Sequence, residues 1–403
     1  MGLRNPVALA GVVGVGIPVL AAGVVAALTI KPGDSGPDSG SASQSAPATT
    51  SQAAAGATAT PAPPTPAAIA ASPDPVGFQP EAPSFVSSTE AWLLGHSYPC
   101  AAPSCLQLRH TTDGGATWQP APLPTPLRDA GTKEAWLRYT DSRNGWIRAN
   151  NALFATHDGG TTWKPVDPGI AGDWSVTWTD DTVYLTTVDT GDVALYSSPL
   201  DHESWTATAE VPVSYGGGPK PMPGLTVVGS RAWLVVYNRT ESGSRLVDGV
   251  WSAWKLPCGG NGPADWTALS ERRLFALCGN PGPDSEDPAT TRLLTSTDGG
   301  ATFTEISQLA PELTAGATLT AIDATHLIVS LRNRLLLSVD GGATWNTTYT
   351  APAKGWELHG AHFTTDTTGF AIISKPGAST HEATQMLTTQ DGGHTWTPVP
   401  FAP

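Results

Sequence analysis

The chain has 403 residues and a formal net charge of −14 at pH 7; only 14% of its residues are charged and 40% are hydrophobic. An acidic balance with no Lys/Arg cluster excludes a nucleic-acid partner gripped through its phosphates. With 43 Gly, 37 Pro and 15 Trp, the composition points to short strands between turns, with large indoles to fill packed sheets.

The N-terminus is a separate object. After "MGLRN", residues 6–30 are apolar apart from small or turn-forming types and Thr29. A secretory signal has a core of about 7–15 apolar residues and a membrane span needs about 20. Residues 1–31 are therefore expected to be a signal-anchor that spans a membrane as a helix, with a cleaved signal peptide as the alternative. Arg4 precedes the apolar run, so the positive-inside rule holds the N-terminus in the cytoplasm and exports the rest. Residues 32–80 are Ala, Ser, Thr, Pro, Gly and Gln with almost no large apolar side chain, which predicts a disordered linker. Residues 81–403 remain for the folded domain.

Four cysteines support export. Cys100 and Cys105 flank "AAPS", and Cys258 and Cys278 bracket a longer segment. Three pairings are possible, and the two sequence-local bridges are the most economical. Neither pair has the C-x₂-C spacing of a zinc site, and no metal or cofactor is expected.

One phrase returns five times: "TTDGGATW", "THDGGTTW", "STDGGATF", "SVDGGATW" and "TQDGGHTW". Its aspartates are Asp113, Asp158, Asp298, Asp340 and Asp391, and its closing aromatics are Trp118, Trp163, Phe303, Trp345 and Trp396. Two degenerate copies fit the long gap, one ending at Trp205 and one in which Trp254 takes the aromatic position. Seven units with a period of about 46 residues then fill the chain from about 82 to 400, the signature of a propeller. Each unit reads as four short strands, as in "EAWLRY", "GWIRA", "ALFATH" and "TTWKPV". The second strand carries an aromatic at Trp92, Trp146, Tyr184, Trp233, Phe275 and Phe370. The fold class is thus all-β: a single seven-bladed β-propeller of four-stranded blades, behind the anchor and the linker.

Within the phrase, the Asp accepts hydrogen bonds from nearby N–H groups and a Thr hydroxyl, and the Gly pair permits positive φ. Local folding explains each residue, so the turn is a clasp. The pattern resembles the Asp-box or BNR repeat, S/T-x-D-x-G-x-T-W, found in sialidases, xyloglucanases, sortilin-type receptors and photosystem II assembly factor-like propellers. The resemblance covers nearly all of the chain outside the anchor and linker. It implies that the box joins the third and fourth strands of a blade, on the face away from the ligand site.

A sialidase would also need an arginine triad, a Tyr–Glu nucleophile pair and an Asp acid/base. Before the first box the chain offers only Arg109, in "LQLRHTTDGG", so no catalytic residue is assigned. His359 and His362, three apart in "ELHGAHF", fall on opposite faces of a regular strand and suit one metal poorly. Asp284, Glu286 and Asp287 read as a solvated acidic loop. Trp136, Trp174, Trp266 and Trp356 open the first strands of units 2, 3, 5 and 7. They could ring one mouth of the channel and stack on sugars or extended peptides, with core packing as the alternative. Tyr98 could join them. The expected protein is a monomeric, membrane-anchored binding or scaffolding module for an envelope or extracellular protein. A glycan-binding or glycan-hydrolysing propeller and an assembly-factor-like structural propeller are the alternatives.

Overall fold

A computed structural model describes residues 77–98, 105–129, 135–149, 152–169, 174–179, 181–189, 192–208, 211–213, 223–236, 242–258, 265–279, 291–309, 317–375 and 383–401. The expected anchor lies outside them. Among the described residues no helix is long and apolar enough to cross a membrane.

Seven four-stranded antiparallel sheets follow one another along the chain, each a simple meander. Blade 1 is β1 (Gly77–Phe85), β2 (Ala91–Tyr98), β3 (Leu106–Thr111) and β4 (Gln119–Ala121). A short helix, α1 (Thr125–Asp129), leads to blade 2: β5 (Ala135–Tyr139), β6 (Gly145–Ala149), β7 (Ala152–Thr156) and β8 (Lys164–Val166). Blade 3 is β9 (Trp174–Trp178), β10 (Thr182–Asp189), β11 (Asp192–Pro199) and β12 (Thr206–Ala207). Blade 4 is β13 (Pro223–Val228), β14 (Arg231–Val236), β15 (Ser242–Val247) and β16 (Val250–Trp254). Blade 5 is β17 (Asp265–Ala268), β18 (Leu274–Cys278), β19 (Thr291–Ser296) and β20 (Thr304–Leu309). Blade 6 is β21 (Thr318–Ala321), β22 (Leu327–Ser330), β23 (Arg334–Ser338) and β24 (Asn346–Thr350). Blade 7 is β25 (Glu357–Phe363), β26 (Gly369–Lys375), β27 (Ala383–Thr389) and β28 (Thr397–Pro398).

The core is divided into seven clusters, one between each pair of neighbouring blades. A second strand is therefore covered on both faces, which is why β18 (LFALC) is buried along its whole length and carries no polar alternation. The second-strand aromatics sit where the repeat places them: Trp92, Trp146, Trp233, Phe275 and Phe370 are all buried. Truncating one such ring costs about 3–5 kcal/mol in a well-packed core.

The ring closes without a shared strand, because blades 1 and 7 each use four consecutive strands of their own. The seam is apolar: Phe78, Leu93, Phe370, Ile372, Met386 and Val399 form its core. Phe85 stacks on Phe370 at 4.8 Å, and the Thr384 N–H donates to Gln79 Oε1 at 2.8 Å. Phe78 of β1 is buried in this seam.

Two readings of the repeat need correction. In blade 4 the aromatic that packs backward onto blade 3, as the box aromatics pack onto their preceding blades, is Trp251. Trp254 lies at the end of β16 and packs forward onto blade 5. The second correction concerns β25, where a bulge between Leu358 and Ala361 contains Gly360 at φ 101°. The extra residue resets the alternation, so His359 meets Ser374 while His362 stacks on Phe370. Both lie on one face of β26, not on opposite faces.

Cys258 and Cys278 form a disulfide with Cα atoms 5.3 Å apart. Cys105 is also disulfide-bonded, and Cys100 lies outside the described residues.

Candidate functional site

The five boxes join the third and fourth strands of blades 1, 2, 5, 6 and 7 and repeat one hydrogen-bond set. In blade 2, Thr156 Oγ1 donates to Asp158 Oδ1 at 2.8 Å and accepts from the Gly160 N–H at 2.9 Å. Asp158 also accepts from the Thr162 N–H at 2.8 Å and from Thr162 Oγ1 at 2.6 Å. Asp113, Asp298, Asp340 and Asp391 take the same Thr hydroxyl at 2.6 Å. The first box glycine then ties the corner to the turn between strands one and two of its own blade. Gly114 N donates to Thr89 O, Gly159 N to Arg143 O, Gly299 N to Arg272 O, Gly341 N to Thr325 O and Gly392 N to Thr367 O. Hydrogen bonds from the following Thr hold Asp113, Asp158 and Asp340 at about 2, well below the usual carboxylate range. Such carboxylates stay charged and fully engaged, which suits a clasp and not a proton-transfer role.

The innermost strands present a second repeated position, the residue paired with the second-strand aromatic or, in blade 6, with Ile328. By register these residues are Ser84, Arg138, Thr177, Thr226, Thr267, Thr320 and His362. Where the residue is a small hydroxyl it can stitch to the next blade. Ser84 Oγ accepts from the Tyr139 N–H at 2.7 Å, and Thr177 Oγ1 donates to Leu225 O at 2.9 Å. Thr320 Oγ1 donates to Ala361 O. Between blades 5 and 6 the stitch comes from Asp265, whose carboxylate accepts from the Leu319 N–H at 2.7 Å and from the Trp266 N–H at 2.8 Å. Burial raises the Asp265 carboxyl to about 7 against the opposing pull of those two bonds. At these four interfaces the innermost strands approach closely: β1 to β5, β9 to β13, β17 to β21 and β21 to β25.

The expected tryptophan ring does not assemble as an open collar. Trp266 is buried between blades 4 and 5, edge-on to Trp254 at 5.4 Å. Trp356 is buried between blades 6 and 7. Trp136 is half-buried and stacks on Trp178 at 4.5 Å. The side chain of Trp174 lies outside the described residues, as do Asp284, Glu286 and Asp287. A first strand has a packed neighbour on each face, so an aromatic there is drawn between blades. Arg109 belongs to β3, the third strand of blade 1, and covers the Phe78 ring at 4.1 Å. Among the described residues no group of His, Cys, Asp and Glu is arranged to hold a metal ion. A cavity of about 320 Å³ opens instead on the box rim at the seam, where Phe85, Phe370, Asp113, Thr364, Thr368 and Gln390 line it.

No family model and no curated protein matches the sequence. Solved structures do match. YCF48 with a bound D1 peptide is 18% identical, with a TM-score of 0.52 over 79% of this chain and 94% of that one. The propeller domain of the Trilobed protease from Pyrococcus furiosus, which has an open velcro topology, is 10% identical with a TM-score of 0.50; the match covers 81% of this chain and 100% of that one. The polysaccharide lyase Uly1 is 9% identical with a TM-score of 0.51, over 79% and 90% of the two chains. The likeness establishes the fold.

Sequence reading missed Arg138 and Asp265, and weighed His362 only beside His359 as a metal ligand. Nothing in the composition marks them, and each stands out only once the seven innermost strands are aligned by their pairing partners.

Proposed function

We propose that the chain is a membrane-tethered, exported binding propeller of the Asp-box type, holding a protein or peptide partner on the rim opposite the boxes. The supporting observation is the contrast between the rims. In the five blades that carry a box, the box-rim turns 86–90, 140–144, 269–273, 322–326 and 364–368 match in length, and so do the five box turns. The strand ends on the other rim are joined by connections as unequal as 150–151, 279–290 and 208–222. Uniform turns stitched to themselves keep the ring in shape, whereas a rim of unequal connections can vary without cost to the core and so carries recognition. The apolar segment 6–30, the linker and the disulfide are the features of a domain held outside a membrane. YCF48 with a D1 peptide is a precedent for a peptide on this architecture.

The test is photo-crosslinking in intact cells from one rim or the other, with protease accessibility of the propeller scored in parallel. A photoreactive residue at Lys354, in the connection between blades 6 and 7, should trap a discrete protein adduct. One at Asp366, in a box-rim turn, should not. Adducts from Asp366 alone would reverse the two rims. A glycan-array signal with no protein adduct would replace the protein partner by a carbohydrate.

A further inference from the structure

Between blades 1 and 2 the space beneath the box is filled by rings. Trp92 of β2 stacks on His110 of β3 at 4.3 Å and on Tyr139 of blade 2 at 3.8 Å. An added Cβ at Gly160, in the blade 2 box, would meet Tyr139 Oη at 2.5 Å and Trp92 Nε1 at 3.7 Å. Strand register gives the same three positions at the seam between blades 7 and 1. Trp92 pairs with His110 and Phe370 with Thr388, while Tyr139 ends β5 and Phe85 ends β1. The seam thus carries Phe for Trp, Thr for His and Phe for Tyr, a smaller side chain at each of the three. Phe85 still stacks on Phe370 at 4.8 Å, but blade 7 does not reach up to the blade 1 box. The three atoms nearest an added Cβ at Gly115 all belong to Trp118 of that same box. At Gly160, Gly300, Gly342 and Gly393 an atom of the preceding blade is among the nearest three.

The cavity of about 320 Å³ lies where these side chains step down in size, with Phe85, Phe370 and Thr388 among its walls. An apolar cavity of roughly 150 Å³ takes up benzene, so this one has room for a bicyclic ring. Two phenyl rings supply its apolar wall, and Ser88, Thr364, Thr368 and Gln390 add hydroxyls and an amide. Among the described residues that line it, Asp113 alone is charged. Its carboxylate oxygens can accept a further hydrogen bond beyond those from Thr111 and Thr117. That carboxylate, in a wall without a cation and a chain of net charge −14, opposes an anionic ligand. A flat ring with an N–H or O–H on its edge suits both kinds of wall, since its faces are apolar and its edge donates.

We propose that the seam cavity binds a small free aromatic molecule with a hydrogen-bond donor on its edge, of the indole or phenol class. The ring packs against Phe370 and Phe85, and its donor meets Asp113 and the hydroxyls around it. Bound there, it joins the first blade to the last, as Trp92, His110 and Tyr139 join blades 1 and 2. The site lies on the box rim and is independent of any partner held on the opposite one.

The full chain is titrated with 4-fluorophenol, and separately with 5-fluoroindole, and binding is followed by fluorine NMR. At least one probe is expected to give a saturable bound signal and, at saturation, a higher Tm. F370W and T388H each place the blade 1 residue at the seam and fill the cavity, so each should weaken binding by roughly tenfold or more. T388H alters only a half-buried side chain and keeps the test decisive if F370W does not fold. Cyclohexanol, of similar size but without a π face, should displace the probe about fivefold less well than phenol, the weight of a stacked ring. Responses to both probes that grow linearly without saturating overturn the site whatever the variants do. So does wild-type binding in the folded variants, or cyclohexanol competing as well as phenol. N-acetyltryptophan amide competing better than indole would assign the cavity to a side chain of a protein and overturn the free ligand.

Discussion

Blades 2 and 4 solve the same corner differently. Blade 2 turns from its third strand to its fourth with a full box, whose Asp158 binds Thr156 and Thr162 and whose Gly159 ties down the Arg143 carbonyl. Blade 4 turns with Asp248 and Gly249 alone, at φ 51° and 76°, between the paired residues Val247 and Val250. That is the tight two-residue hairpin turn whose twist matches the flanking strands. The box is thus not needed to reverse the chain. What blade 4 lacks is the tether to its own first turn, and it borrows one from blade 5. Trp233 Nε1 donates to Gly299 O at 3.1 Å and Trp254 Nε1 to Gly300 O at 2.7 Å. Glu271 accepts from the Ser230 N–H at 2.6 Å. A box stiffens one blade from within, and a boxless blade is held by its neighbour.

The sharpest break of this comparison is a methyl group at a glycine of each kind. Gly342, in the blade 6 box, has φ 94° and an added Cβ would overlap Leu293 of blade 5; Gly249 has φ 76° and nothing within 4 Å. Gly342→Ala combines left-handed strain with overpacking and should cost about 2–4 kcal/mol, against about 1–2 kcal/mol for Gly249→Ala. Denaturant unfolding of both variants checks it. Equal losses would mean that the box corner does not bear on its neighbouring blade.

Asp265 sharpens the contrast between a stitch inside the ring and a clasp on its rim. Its folded-state pKa, about 7, lies above that of an unfolded aspartate. The native state therefore holds the proton more tightly. The resulting stability is complete below about pH 4 and is lost as pH rises through 7. Wild type should lose on the order of 3 kcal/mol across that window relative to D265N, whose profile should be flat there. Parallel profiles would show that the Asp265 carboxyl ionises as easily as an exposed one.

The boxes work in the opposite direction and in another window. With Asp158 held at about 2, its contribution is present above about pH 4 and disappears as pH falls toward 2. The effect per box is smaller than at Asp265, because these carboxylates meet solvent and are screened by it. D158N should remove part of the acid-induced fall in Tm between pH 4 and 2. Hydrogen exchange at acid pH should loosen Gly160 before the Val247–Val250 hairpin, which contains no box carboxylate.

The architecture was legible because a propeller repeats one local solution, and the "DGG" corner and the second-strand aromatic each carry enough information by themselves. The site was not legible, for three separate physical reasons. A first-strand tryptophan such as Trp266 has packed blades on both sides, so its sequence position does not say whether it faces a ligand or a core. The bulge at Gly360 shifts His362 to the face of His359, and a lone glycine in "ELHGAHF" does not announce a change of alternation. Arg138 looks like any strand arginine until Ser84, Thr177 and Thr320 are set beside it by register. In blade 4 the period itself misled. A two-residue turn shortens the corner, so the backward-packing indole is Trp251, and counting residues alone selects Trp254.

The smallest expected effect tests whether the blade 4 turn is as independent of side-chain bonding as its geometry implies. Asp248 sits at φ 51°, a region that asparagine enters more readily than aspartate, and Asn-Gly is the favoured pair for a turn of this twist. No strand partner depends on the Asp248 carboxylate, since Val247 pairs directly with Val250. D248N should therefore leave the fold intact and raise stability by a few tenths of a kcal/mol, about 0.5 at most. The equivalent change in a box, D158N, moves stability the other way because Thr156 and Thr162 lose a charged acceptor. Opposite signs for one substitution at two aspartates of the same corner would separate a turn that only bends the chain from one that also fastens it. A loss at Asp248 as large as at Asp158 would mean that blade 4 carries a clasp of its own.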